Sequence, residues 1–172
     1  MKNIIFILTL FIGFNSFPLN GSDLDSSIDE HQELFEKIAM QIWDLAEVGY
    51  QEHESSKLLQ NSLADHGFKI QNNVANIPTA FIAEYGSGFP VIGILGEFDA
   101  LPGVSQSASP YKEKYKESEA GHACGHHLFG SGSAWASVVI KDWLIANNIK
   151  GTIRFYGTPA EEGGSGKVYM AR

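Results

Sequence analysis

A chain of 172 residues, 44% apolar and 19% charged, has enough hydrophobic mass for one ordinary core and too few charges for a disordered protein. Twelve Lys and Arg stand against twenty Asp and Glu, a formal charge of −8. No basic cluster interrupts that balance, so nucleic acid is excluded as a partner and a soluble enzyme is favoured.

The chain opens on Met1-Lys2-Asn3 and an apolar run from Ile4 to Phe14, too short to span a bilayer. Polar and turn-forming residues from Asn15 to Ser22 then offer a cleavage region, so residues 1–22 are predicted to be a signal peptide and the protein to be exported, periplasmic or extracellular. Cys124 is the only cysteine and cannot form an internal disulfide. In an oxidising compartment a free thiol is a liability, and metal ligation would occupy it.

Ser27-Ile28-Asp29-Glu30 has capping-box spacing, and Leu34, Phe35, Ile38, Ile42, Trp43 and Leu45 follow at helical intervals, which predicts a helix over 28–46. A second helix follows Gly49, with Leu58, Leu59 and Leu63 on one face. Gly67 is placed to end it in a left-handed cap and Phe68 to pack back. His31, His53 and His66 fall on the polar sides and read as solvated. From Lys69 the period changes to short β-prone runs, Ile70 to Val74, Thr79 to Tyr85 and Val91 to Gly96. The last is apolar without alternation, which predicts a central strand covered on both faces.

Residues 102–119 lack apolar periodicity and read as a long surface loop, with Lys112 to Glu119 a solvated face of mixed charge. A helix is predicted from about His127 to Asn147, where Gly130, Gly132, Ala134 and Ala136 permit close approach to a sheet. Thr152 to Tyr156 is the next strand. Strand, helix, strand over 91–157 makes a βαβ unit with parallel strands and an α/β fold. Its topology brings Glu97-Phe98-Asp99, Cys124 with His126, and Glu161-Glu162 to one sheet edge, where open α/β sheets place their ligands.

Thiolate and imidazole favour zinc while carboxylates extend the range toward manganese or cobalt, so the donors indicate a divalent transition metal without choosing one, and paired ions are compatible with this set. In such a site one glutamate of the pair ligates while its neighbour moves the proton of an attacking water. Asp99 would orient a ligand or the base.

The segments Gly121-His122-Ala123-Cys124-Gly125-His126-His127 and Pro159-Ala160-Glu161-Glu162-Gly163-Gly164 resemble those that mark the two-metal site of the M20 metallopeptidase and amidohydrolase family. Gln41-Ile42-Trp43-Asp44, Asn76-Ile77-Pro78, Gly96 to Leu101, Arg154 to Gly157 and Gly164 to Lys167 extend the likeness to its aminobenzoyl-glutamate-cleaving subgroup. The resemblance runs from about residue 30 to Arg172.

It implies a zinc-exopeptidase-like three-layer sandwich with a mixed, largely parallel central sheet flanked by helices. It also implies two divalent metal ions (Mn or Zn), and hydrolysis of the amide bond of an N-acyl amino acid such as p-aminobenzoyl-glutamate. Carried over, Cys124, His126 and Glu162 match metal ligands, Glu161 the general base, Asp99 the supporting carboxylate and His122 a residue behind the ligands. His127 stands where Asp or Asn is common. Family members are far longer, so residues 23–172 read as the N-terminal part of a truncated catalytic domain, expected to be inactive alone. A homo- or hetero-oligomer with a related subunit is implied. An exported dipeptidase or aminoacylase, or a non-catalytic metal-binding partner subunit, are the alternative readings.

Overall fold

The computed structural model describes residues 21–172 except Lys116. In chain order the elements are α1 (Gly21–Leu45), α2 (His53–Asp65), β1 (Lys69–Asn72), a 3₁₀ turn (Val74–Asn76), β2 (Phe81–Ser87), β3 (Val91–Gly96), α3 (His126–Ala146), β4 (Gly151–Gly157) and α4 (Gly166–Met170). The expected leader lies almost wholly outside the described residues, although Gly21 and Ser22 are already helical. Among the described residues no helix is long and apolar enough to cross a membrane.

Four strands form one mixed sheet in the order β1-β2-β4-β3. The β3–β4 pair is parallel, with Val91 opposite Thr152 and Gly96 opposite Gly157, as a βαβ unit requires. The other two pairings are antiparallel, so the parallel share is smaller than expected. β3 also departs from expectation: it is the edge strand, and Val91, Ile92 and Leu95 are exposed. An unbroken apolar run was the signal for a covered strand, but at the sheet edge these side chains stay exposed.

Alternation along β2 and β4 sorts their side chains. Phe81, Ala83, Ile153 and Phe155 point into a core shared with Phe35, Ile38 and Ile42 of α1, Leu59 and Leu63 of α2, and Ala134 and Val138 of α3. All three long helices cover this one face. Of the three expected layers, two are therefore present among the described residues. Ile82, Glu84, Arg154 and Tyr156 occupy the opposite face, only partly buried, with Arg154 Nε donating to Glu84 Oε2 at 2.7 Å.

The helix ends follow local chemistry. α1 starts before the expected capping box, and Ser27 lies inside it with its hydroxyl unpartnered. Glu47 caps α2 from the preceding connection, accepting from the Ser55 N–H at 2.8 Å. At the other end Gly67 adopts φ 86°, and Phe68 N–H donates to the Leu63 carbonyl at 3.0 Å, closing the expected cap. His31 is not solvated: its Nε2 lies 3.0 Å from Asp142 Oδ2, tying α1 to α3. His66 meets it edge-on at 5.0 Å, while His53 is exposed as expected.

The long segment between β3 and α3 is a loop, as expected. Leu101 and Gly121 exchange two backbone hydrogen bonds of 3.0 Å and pinch its base shut. Tyr115 packs on Trp43 at 4.3 Å and its hydroxyl donates to Asp44 at 2.7 Å, holding the loop against α1. The pinch returns the chain to β3 in time for Gly125, at φ 81°, to start α3. A Cβ on Gly130 would lie 2.6 Å from the Glu97 carbonyl, so a glycine there lets the first turn of α3 press on the end of β3.

Candidate functional site

Three pieces of chain meet at the carboxyl edge of the parallel pair: Glu97 to Asp99 after β3, His122 to His126 before and into α3, and Glu161-Glu162 after β4. At their centre is His126, buried to 6% exposure. Its Nδ1 lies 3.0 Å from both the backbone oxygen and Oδ1 of Asp99. Both are acceptors, so Nδ1 carries the proton and Nε2 is the nitrogen left to face the acids. The Asp99 hydrogen bond, aided by its charge and that of Glu97, raises the imidazole pKa above its ordinary value against the opposing pull of burial.

Asp99 is almost fully buried, and burial alone would raise its carboxyl. The His126 hydrogen bond and the Glu162 N–H outweigh that and hold it below the usual value. Its second oxygen accepts from Glu162 N–H at 2.9 Å, so one carboxylate orients the imidazole and pins the backbone of the glutamate pair.

Around Nε2 stand Glu97 Oε2 at 2.9 Å and Glu161 Oε2 at 3.7 Å. One donor atom each from Glu97, His126 and Glu161 lies within 4.8 Å of the others. Glu162 Oε1 is 3.7 Å from Nδ1, and the nearby Glu162 carboxylate, with the neighbouring acids, raises the pKa of the exposed Cys124 thiol. Lys167 reaches in from α4 and donates to Glu97 Oε1. Four carboxylates thus crowd one imidazole and one ammonium, an excess of negative charge that fits a bound divalent cation, and the mixed donors suit zinc or manganese.

Residues 93–172 match the model of Peptidase family M20/M25/M40. The chain is 45% identical over 150 residues to a subunit of the p-aminobenzoyl-glutamate hydrolase of Escherichia coli K12, an alignment covering 87% of this chain and 31% of that protein. Residues 93–172 carry an M20 peptidase domain. Among solved structures, the Bacillus subtilis YXEP protein, a dinuclear metal-binding peptidase from the M20 family, is 30% identical with a TM-score of 0.55, over 76% of this chain and 36% of that one. The aminobenzoyl-glutamate utilization protein from Klebsiella pneumoniae has a TM-score of 0.61 at 15% identity, over 87% of this chain and 42% of that one, a likeness of fold. The chain thus spans about a third of the length of the relatives it matches.

The M20 signature residues read from the sequence do assemble. Asp99, Glu161 and Glu162 all reach His126, while the exposed Cys124 lies outside the tightest donor group. His122 sits behind them: Nε2 donates to the Ile42 carbonyl at 3.0 Å, Nδ1 is buried without a partner, and burial depresses its pKa to about 4. His127 packs against His122 at 5.1 Å and is likewise depressed by burial. No role was expected for Glu97 or Lys167. Glu97 stood at the right sheet edge, one signal that could have singled it out, but nothing in the chain foretold that Lys167 would fold back onto it.

Proposed function

We propose that the protein is a metal-dependent hydrolase of the amide bond in N-acyl amino acids, p-aminobenzoyl-glutamate being the leading substrate. The observation that carries this reading is the convergence of Glu97, His126 and Glu161 around one point, with Asp99 fixing the imidazole from behind. Cys124, His126 and Glu162 are the proposed metal ligands and Glu161 the base. When bound, a pair of divalent ions polarises the scissile carbonyl and makes water acidic enough to give up a proton near neutral pH.

The chain's own residues supply the rest. Glu161 is the most exposed acid of the cluster and the one able to meet an incoming water, take its proton and return it to the leaving amine. Glu162 is half-hidden and held by Asp99, a placement suited to ligation instead. A cavity of about 420 Å³ opens between the end of α1 and the long loop, with Met40, Trp43, Val104, Tyr115, His122 and His127 among its walls and none of the acids lining it.

Export through the N-terminal leader, and assembly with a second copy or a related subunit, belong to the same reading; the E. coli relative is a hydrolase subunit. Hydrolysis of p-aminobenzoyl-glutamate, measured beside a panel of dipeptides with the full-length protein, tests the substrate. Preferential cleavage of the aminobenzoyl amide is expected, and turnover of dipeptides alone would assign it to the exported dipeptidases.

A further inference from the structure

Glu52 is a carboxylate with no exposure at all, on the connection between α1 and α2. It occupies the N-cap position of α2 yet makes no side-chain cap there, a task taken by Glu47. Instead Oε1 accepts from the N–H of Ala160, 108 residues along the chain, at 2.7 Å. Oε2 is buried without a hydrogen bond. Burying a carboxyl group is expensive unless hydrogen bonds or a charge partner compensate, and burial pushes the pKa of Glu52 above its ordinary value.

What it holds is the turn before the glutamate pair. Ala160 is fully buried and sits at φ 55°, a left-handed conformation that a non-glycine residue adopts only when its surroundings impose it. The same connection grips this turn at other points. Tyr50 hydroxyl donates to the Gly164 carbonyl, and a Cβ on Gly49 would come within 2.9 Å of Ala160. It also braces the other acid: Ala100 N–H donates to the Glu47 carbonyl at 2.8 Å, one residue beyond Asp99.

We propose that Glu52 is a positioning residue of the active site, its buried carboxylate fixing the Pro159–Glu162 backbone from which the base and a metal ligand project. The inference rests on the roles assigned above to Glu161 and Glu162.

The test compares Glu52→Leu and Glu52→Gln with the parent in the full-length protein, reading amide exchange at Ala160 and affinity for Zn²⁺ and Mn²⁺ by titration. Gln keeps an oxygen for the Ala160 N–H, so both readouts should stay within about twofold of the parent. Leu fills the space but leaves that N–H unpaired: exchange at Ala160 should accelerate about tenfold or more, and metal affinity should fall by about tenfold or more. A folded Leu variant with parental exchange and affinity would overturn the proposal. Should Leu not fold, Glu52→Asp, one methylene too short to reach Ala160, is read in the same way, and parental values there overturn it equally. If the parent binds no metal, the hydrolase reading fails while Ala160 exchange still decides the role of Glu52.

Discussion

Asp99 Oδ1 lies 3.0 Å from His126 Nδ1, and this contact decides which ring nitrogen faces the acids. Because the other Asp99 oxygen holds Glu162 N–H at 2.9 Å, one side chain sets the geometry of two proposed ligands. Asp99→Asn cannot offer acceptors to both, and its amide would confront one donor with another. Affinity for Zn²⁺ or Mn²⁺ should fall about 10–100-fold with the fold retained, as measured by calorimetric titration beside circular dichroism. An unchanged affinity would remove Asp99 from the site.

Glu97 and Lys167 should act in opposite directions. Glu97→Gln removes a negative oxygen 2.9 Å from His126 Nε2 and should weaken divalent-metal binding by about tenfold. Lys167→Met frees that carboxylate and deletes a positive charge from the rim, and should tighten binding by up to about fivefold, the scale of one partly exposed ion pair. Competition with a fluorescent chelator reads both, and a shift of the same sign in the two variants would contradict the arrangement.

Glu161 and Glu162 should separate chemistry from binding. In the full-length protein Glu161→Gln should lower kcat about 10²–10⁴-fold with metal content intact. Glu162→Gln should lose metal as well as turnover. Steady-state kinetics paired with metal analysis distinguishes them, and full turnover by Glu161→Gln would show that another group is the base.

His122 gives the fold a pH signature. Its pKa is about 4 in the folded protein against an ordinary 6.5, because burial disfavours the imidazolium, and His127 moves the same way. Between those values the unfolded chain binds more protons than the folded one, so stability falls as pH drops through that window. At about 1.4 kcal/mol per unit, His122 alone accounts for at most about 3.5 kcal/mol. Urea denaturation of chelator-treated protein at a series of pH values should show this slope, and His122→Gln, which still donates to Ile42 but does not titrate, should flatten it. Equal slopes would contradict a buried neutral His122.

Much of this was legible in the sequence because its signals are local. The 3.6-residue period of α1 to α3, the Gly67-Phe68 cap and the βαβ topology each depend on neighbours in the chain, and together they place Asp99, His126 and Glu161 at one edge. The errors share a cause, which is dependence on distant partners. β3 looks central by composition, but strand order is fixed by pairing across the whole sheet. His31 looks solvated until Asp142 of α3 is set beside it. Ser27 to Glu30 has capping spacing, yet α1 begins upstream of it. Glu52 resembles any acid at a helix start, and only the fold reveals that its partner is Ala160.

The most direct test is metal analysis of the full-length protein after equilibration with Zn²⁺ or Mn²⁺ and removal of excess ion, beside its His126→Ala and Cys124→Ser variants. The account predicts two divalent ions retained per parent molecule, a loss of bound metal on replacing His126, and weakened retention on replacing Cys124. A parent that retains no metal, or a His126→Ala variant that retains as much as the parent, would contradict it.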